Sequence, residues 1–326
     1  MKTKAVYVVT SNQNDIYIEQ ALLSIYSLKL YNELMEVYLL VDQSTSESLV
    51  GNRAKIRELS TVIIIDTPLP YTPVQKSRYI KTSFRKYIQG PLLFLDTDMI
   101  ITAPLTELDN IKDDISCVTD FHTSFPEWVF YDLHVTRLKR DYNVDVSNCK
   151  LYFNSGLMLV QDTPLAHDFF NTWHELWIKF SQKGHYRDQN VLMITDQQYG
   201  YIIKELPGIY NCQILTSIEY FYNAKIIHFY NVPWFNKEKY SPFFTKDLYN
   251  EIKKYGITNE IHELIVNCKS SFKSHTIIVG REELAFLSNL EAQYLRKIIN
   301  TNGPFYAFIK KLFWFWNILR NKGIKL

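Results

Sequence analysis

Pro91-Leu-Leu-Phe-Leu-Asp96-Thr97-Asp98-Met99-Ile-Ile101 is the stretch on which the reading of this chain turns. Leu92 to Leu95 is apolar without a break. A strand that is polar on one face would alternate, so this run predicts a strand buried on both faces. It ends in two carboxylates spaced i and i+2. On extended backbone such side chains leave on the same side. Two like charges side by side at the end of a buried strand repel each other, and a hard divalent cation with oxygen ligands relieves that repulsion. A helix cap or a solvated turn is the plainer alternative.

The pattern repeats outward from this point. Ala5 to Thr10 runs into Ser11-Asn12, Val37 to Val41 into Asp42, and Thr61 to Ile65 into Asp66. Between these runs, Ile18, Leu22, Ile25 and Leu28 recur at helical spacing, with Asp15 positioned to cap them. Ser44 to Glu58 is polar and predicts a solvent-facing helix, and Tyr79 to Ile88 a further one. Strand alternating with helix predicts an α/β fold with a mostly parallel central sheet and helices on both faces. Ligands of such sheets bind beyond the carboxyl ends of the strands, where every polar terminus noted here falls.

Farther on, Phe121 to Lys150 is irregular, aromatic and charged, and reads as a loop over that edge. Leu151 to Val160 is apolar again, broken by Asn154-Ser155-Gly156. A helix carrying Trp173, Leu176, Trp177 and Phe180 follows, then a short strand at Ile226 to Phe229. From Asn236 onward the sequence is mainly helical, apart from an apolar run at Thr276 to Gly280. The expected organisation is an α/β domain over 1–235 and a helical appendage over 236–326.

The composition narrows the function. Hydrophobic residues make up 47% and charged residues 21%, so a folded core is expected rather than disorder. A net charge of +2 gives no general nucleic-acid-binding surface. The ten glycines form no G-x-G, which removes the Rossmann fingerprint and the P-loop. A bound nucleotide therefore needs its phosphates held another way, for which a carboxylate-held metal is the leading option. Cys117, Cys149, Cys212 and Cys268 have neither zinc-site nor redox spacing. With the short apolar run of the first residues, they point to a reducing cytoplasm.

The strand running into Asp96-Thr97-Asp98 resembles the D-x-D motif of GT-A glycosyltransferases. Further segments in the same order resemble glycosyltransferase family 8: VVTSNQNDIY at 8–17, RYIKTSFRKYI at 78–88, FNSGLML at 153–159, and RDQNVL at 187–192 followed by IIHF and Pro233-Trp234. The resemblance covers about residues 4 to 235. It implies a GT-A fold and metal-dependent transfer of a hexose, galactose or glucose, from a UDP-sugar with retention of configuration.

The resemblance also implies roles for particular residues. Thr10, Asn12 and Tyr17 fall at the nucleotide, with Tyr17 either stacking on the base or merely packing its helix. Asp96, Asp98 and His228 would hold Mn2+ or Mg2+, with Thr97 between the carboxylates. A lone His228 after an apolar run is otherwise a core histidine. Lys81 would lie near the diphosphate, or else be an ordinary solvated lysine. Asn154 and Ser155 would contact the donor sugar, with Gly156 permitting close approach. Asp120 would accept a sugar hydroxyl or cap a loop. Asp188 and Gln189 would flank the anomeric carbon, Asp188 also being able to cap the helix that follows.

One segment departs from the family, which has a glycine soon after the histidine and a lysine before Pro-Trp. Here Tyr230 or Asn231 stands at the glycine position and Val232 before the proline, leaving Lys237 or Lys239 to reach the diphosphate. That departure motivates a second reading: a catalytically weak or inactive module that binds sugar nucleotide or glycan. A nucleotidyltransferase is a third reading, but it more often has a glycine-rich phosphate loop. From Arg296 to the end there are seven Lys or Arg and no acid, interleaved with Phe305, Tyr306, Phe308, Phe313, Trp314, Phe315 and Trp316. A basic aromatic helix of this kind predicts a peripheral association with the inner face of the cell membrane, next to a lipid-linked or cell-surface glycan acceptor. The plainer alternative is a helix packed on the catalytic domain.

Overall fold

A computed structural model describes residues 1–128, 131–214, 219–229, 243, 245–271, 286, 289–301 and 303–321. The chain forms two compact units, Met1–Thr276 and Ile277–Leu326. Tyr230, Asn231, Val232, Pro233, Trp234, Lys237, Lys239 and the run Thr276 to Gly280 lie outside the described residues.

Among the described residues the first unit contains ten strands: β1 (Lys4–Val9), β2 (Val37–Val41), β3 (Thr61–Ile64), β4 (Leu92–Leu95), β5 (Met99–Ile101), β6 (Ile115–Thr119), β7 (Phe153–Val160), β8 (Lys204–Glu205), β9 (Cys212–Gln213) and β10 (Ile226–His228). Its helices are α1 (Tyr17–Tyr31), α2 (Gln43–Glu47), α3 (Ile56–Leu59), α4 (Pro73–Ser83), α5 (Tyr131–Tyr142), α6 (Pro164–Ser181), α7 (Asp188–Gln198), α8 (Lys246–Tyr255) and α9 (Asn259–Val266). The second unit contains α10 (Leu290–Thr301) and α11 (Pro304–Asn321).

Seven strands form the main sheet in the order β3-β2-β1-β4-β7-β6-β8. Its pairings are parallel except on both sides of β7, which runs antiparallel to β4 and to β6. The sheet is therefore mostly parallel with one reversed strand next to its centre. Both faces are covered. Leu93 and Leu95 join a core layer with Leu22, Ile25 and Leu28 of α1. Leu92 and Phe94 join the opposite layer with Ile80 and Phe84, Phe169, Phe170, Trp173 and Trp177. Successive residues of a strand point to opposite faces, so covering both faces requires the unbroken apolar run.

A second sheet, β5-β10-β9, is small. β10 runs antiparallel to β5, with His228 opposite Met99, and parallel to β9. The main sheet ends at Leu95 and the small sheet begins at Met99. Asp96-Thr97-Asp98 is thus the bridge between the two.

Several elements differ from the sequence reading. α4 begins at Pro73, ahead of Tyr79, because Thr72 and Gln75 form a reciprocal capping box with proline in the first turn. Ser44 to Glu58 is not one solvated helix. It breaks into α2, a 3-10 turn (Gly51–Lys55) and α3, and it buries Arg53. The Arg53 guanidinium meets Glu19 of α1 at 2.5 and 2.8 Å and donates to the carbonyls of Asn12 and Asp15 at 2.7 and 2.6 Å. A buried ion pair is tolerable only when its donors and acceptors are matched in this way. Phe121 to Lys150 contains α5 as well as irregular turns. β7 continues through Asn154-Ser155-Gly156, fully buried, where the sequence suggests a break. Asp15 does not cap α1 from the N-cap position, which Ile16 holds; its carboxylate accepts instead from Asn12 N–H and Tyr17 N–H.

Candidate active site

The carboxyl ends of β1 and β4, with α1 and α4, enclose a cavity of about 280 Å3. Thr10, Tyr17, Gln20, Ser77, Arg78, Asp96, Thr97 and Asp98 line it. The Tyr17 ring is 52% exposed there, so it is not held by helix packing. Thr10 Oγ1 donates to the carbonyl of Pro73, tying the two walls together at 3.0 Å. Asn12 lies outside the lining, in the exposed turn that Arg53 and Asp15 hold. Thr97 Oγ1 donates to Gln20 Oε1 at 3.1 Å, which fixes the link between the two carboxylates to α1.

Asp96, Asp98 and His228 each offer a ligand atom, and these atoms lie within 4.8 Å of one another. The topology accounts for the meeting: Asp98 precedes β5, His228 ends its antiparallel partner β10, and Phe229 N–H donates to the Asp98 carbonyl at 2.8 Å. Asp96 is held against β7, its N–H donating to the Gly156 carbonyl at 2.7 Å. Gly156 makes room for the cluster. A Cβ there would stand 2.6 Å from His228 Cε1 and 3.0 Å from Asp96 Oδ2. Two carboxylate oxygens and one imidazole nitrogen at the lip of an open cavity fit Mn2+ or Mg2+ by donor type and accessibility.

Lys81 is buried, not a solvated lysine. Its ammonium lies 3.0 Å from Asp96 Oδ1, 3.1 Å from Asp188 Oδ2 and 3.4 Å from Ser155 Oγ. Asp188 does not cap α7; Arg187 occupies the N-cap without a side-chain bond. Its carboxylate receives Arg78 Nε at 2.9 Å and Ser155 Oγ at 2.9 Å, besides Lys81. Burial alone would raise the pKa of Asp188, but Lys81 and Arg78 outweigh it and hold the group well below the ordinary aspartate range.

Gln189 reaches in two directions. Its Oε1 accepts from Ser155 N–H at 3.2 Å and its Nε2 donates to Asp120 Oδ2 at 2.9 Å. Asn154 Nδ2 donates to Asp120 Oδ1 at 2.8 Å. Burial raises the pKa of Asp120 against the lowering effect of these two amides. Asp120 introduces a strained turn: Phe121 and His122 have φ of 57° and 53°, uncommon for residues with a side chain.

Of the described residues to which the resemblance gives a role, all but Asn12 therefore line the cavity or join one continuous polar network beside it; Lys237 and Lys239 lie outside the described residues. Sequence reasoning missed three members. Arg78 precedes Lys81 by one turn on α4, and that spacing was a usable signal. Gln20 and Asn211 carried none. Asn211 Oδ1 lies 2.9 Å from His228 Nδ1, and Asn211 Nδ2 lies 3.0 Å from Asn154 Oδ1.

Two outcomes follow. Gly156→Ala pushes a methyl into the Asp96–His228 cluster, so Mn2+ affinity falls about tenfold or more while the far-UV circular dichroism is unchanged. Titration with Mn2+ checks this, and wild-type affinity would show that the cluster tolerates a filled position 156. Asp188 has a folded-state pKa below its unfolded value of about 3.9, so its stabilisation is complete above that value and is lost as pH falls below it. Asp188→Asn should therefore lower the urea midpoint near neutral pH by more than it does at about pH 3. An equal drop at both would mean that Asp188 is not held ionised.

No family model and no curated protein matches the sequence. Among solved structures, the galactosyltransferase LgtC, determined with donor and acceptor sugar analogues, matches 79% of this chain and 99% of its own at 16% identity, with a TM-score of 0.50. The glycosyltransferase GlyE of Streptococcus pneumoniae TIGR4 matches 85% of this chain and 67% of its own at 16% identity, with a TM-score of 0.48. Mouse xyloside xylosyltransferase 1 matches 70% and 97% at 15% identity, with a TM-score of 0.47. The chain has the GT-A-type α/β fold expected from its sequence, the fold that it shares with LgtC.

Proposed function

We propose that this chain is a metal-dependent glycosyltransferase that moves a hexose from a UDP-sugar to a glycan hydroxyl with retention of configuration. The observation that carries the reading is the meeting of Asp96, Asp98 and His228 at the lip of the cavity between Tyr17 and Arg78. The shared fold of LgtC, described with donor and acceptor sugar analogues, supports it. A divalent cation held by these three residues offsets charge on the departing diphosphate.

The other residues divide the remaining work. Tyr17 offers a ring face to the base. Arg78 and Lys81 supply fixed positive charge where the leaving group gains negative charge. Asp120, Asn154 and Gln189 present donors and acceptors suited to sugar hydroxyls. Both Asp188 oxygens are already engaged by cations and a hydroxyl, and its depressed pKa makes it a poor nucleophile. An orienting role for Asp188 and front-face attack by the acceptor fit this better than a covalent aspartyl intermediate.

UDP release from a panel of UDP-hexoses with Mn2+ tests the proposal. Slow hydrolysis of one donor, abolished by EDTA and reduced about a hundredfold or more in Asp98→Asn, is expected, the variant's loss corresponding to at least ~2.7 kcal/mol of barrier. Pyrophosphate as product would point to a nucleotidyltransferase. UDP-sugar binding with no release even with glycan acceptors would point to a binding module.

We also propose that the acceptor is lipid-linked or at the cell surface, and that α11 brings the protein to the cytoplasmic face of a membrane. Phe305, Phe308, Leu312, Phe315 and Trp316 recur at three- and four-residue spacing and are exposed, with Lys310 and Lys311 outside that stripe. Among the described residues no helix is long and apolar enough to cross a membrane. Vesicles containing anionic lipid should sediment the full chain, less so at high salt. Phe308→Glu with Phe315→Glu should abolish this; undiminished binding would rule the stripe out.

A further inference from the structure

We infer that Asn211 is the positioning residue that places the proton of His228 on Nδ1, which turns the lone pair of Nε2 toward Asp98. The inference starts from an atom that allows no choice. A backbone N–H only donates, and Gly156 N–H lies 3.0 Å from one end of the Asn154 amide. That end is therefore Oδ1, and the orientation of Asn154 is fixed without reference to the ionisation of Asp120. The Asn211 amide meets the same Oδ1 at 3.0 Å and must present Nδ2 to it. Its own Oδ1 then faces His228 Nδ1 at 2.9 Å. Two acceptors do not bond, so Nδ1 needs a proton. Asp98 Oδ1 asks the same of Nε2 at 3.2 Å, but its side chain is 20% exposed and can turn to water, whereas Asn211 is wholly buried. The one proton of the neutral ring therefore stays on Nδ1.

Burial makes this arrangement binding on the histidine. Asn211 is fully buried, His228 is 2% exposed and Asn154 6%. A wrong orientation anywhere along the chain would leave acceptors facing each other away from bulk water. The consequence falls on the other ring nitrogen. His228 Nε2 lies 3.2 Å from Asp98 Oδ1. With the neutral ring protonated at Nδ1, a lone pair faces a carboxylate oxygen, and a cation shared by the two resolves that opposition. This last step rests on the metal-site reading above, whereas the assignment of the proton does not.

The residue type at 211 is demanding. It has to donate to Asn154 and accept from His228 from one short side chain. Aspartate accepts at both ends and keeps only the bond to His228. Leucine has the same branched outline, though a larger volume, and keeps neither.

Long-range 1H–15N spectra of the metal-free full chain, taken where imidazoles are neutral, read the tautomer directly, with His228 assigned by its loss in His228→Gln. Mn2+ affinity, measured by electron paramagnetic resonance of the free ion, is the second readout. The wild type should show Nδ1–H at His228. Asn211→Leu should lose that preference and weaken Mn2+ binding about 10- to 100-fold. Asn211→Asp should restore the tautomer and most of the affinity. An Nε2–H tautomer in the wild type, which needs no variant to observe, overturns the inference. So does equal impairment of the Leu and Asp variants, which would reduce Asn211 to packing. Nδ1–H in a wild type that does not bind Mn2+ upholds the proton assignment and sinks the metal reading alone.

Discussion

The buried ammonium of Lys81 is the constraint on which the arrangement of the site depends. A lysine with so little exposure is stable as a cation only if anions come to it. Asp96 arrives from the end of β4, Asp188 from the first turn of α7, and Ser155 from β7. Three elements far apart in sequence are thereby held at hydrogen-bond distance around one charge. Arg78, one turn earlier on α4, shares the load on Asp188. The same contacts explain why Asp188 stays ionised in a place that would otherwise favour its neutral form.

β7 distributes these demands. It runs antiparallel between β4 and β6, and its polar triplet lies beyond the end of β4. Asn154 and Gly156 point toward the small sheet, where they meet Asn211 and His228. Ser155 points the other way, toward Lys81, Asp188 and Gln189. Asp120 joins the two sides by accepting from Asn154 on one oxygen and Gln189 on the other. The small sheet enters through β5, which follows Asp98 directly, and through β10 and β9, all short strands of two or three residues.

Much of this was legible in the sequence, for identifiable reasons. β4 was readable because a strand covered on both faces has to be apolar throughout, and Asp96 and Asp98 were readable because they follow it directly. β2 matched residue for residue. The early start of α4 was missed although Thr72, Pro73 and Gln75 spelled a capping box. α5 was hidden because its apolar positions are diluted by aromatic and charged neighbours. Asn154-Ser155-Gly156 looked like a break because polar residues in a strand usually mark its end; here they continue it, since each finds a buried partner. Asn211 and Gln20 were illegible in principle. Each acts through contacts made across the fold, and neither local periodicity nor residue type announces such contacts. Arg53 was illegible for the same reason, its partners Glu19, Asn12 and Asp15 being visible only once α1 is in place.

The alternation along β7 carries a consequence for how this site can change over generations. Ser155 and its neighbours of 154 and 156 occupy opposite sides of one strand, so substitutions that retune one side need not disturb the other. Insertion or loss of a single residue within β7 is another matter. It would exchange the sides, turning the amide of 154 toward Lys81 and the hydroxyl of 155 toward His228, and both halves would fail together. Drift in side chains is thus permitted where drift in length is not. Descendants of this chain should vary in residue type on either side of this strand long before they vary in its spacing.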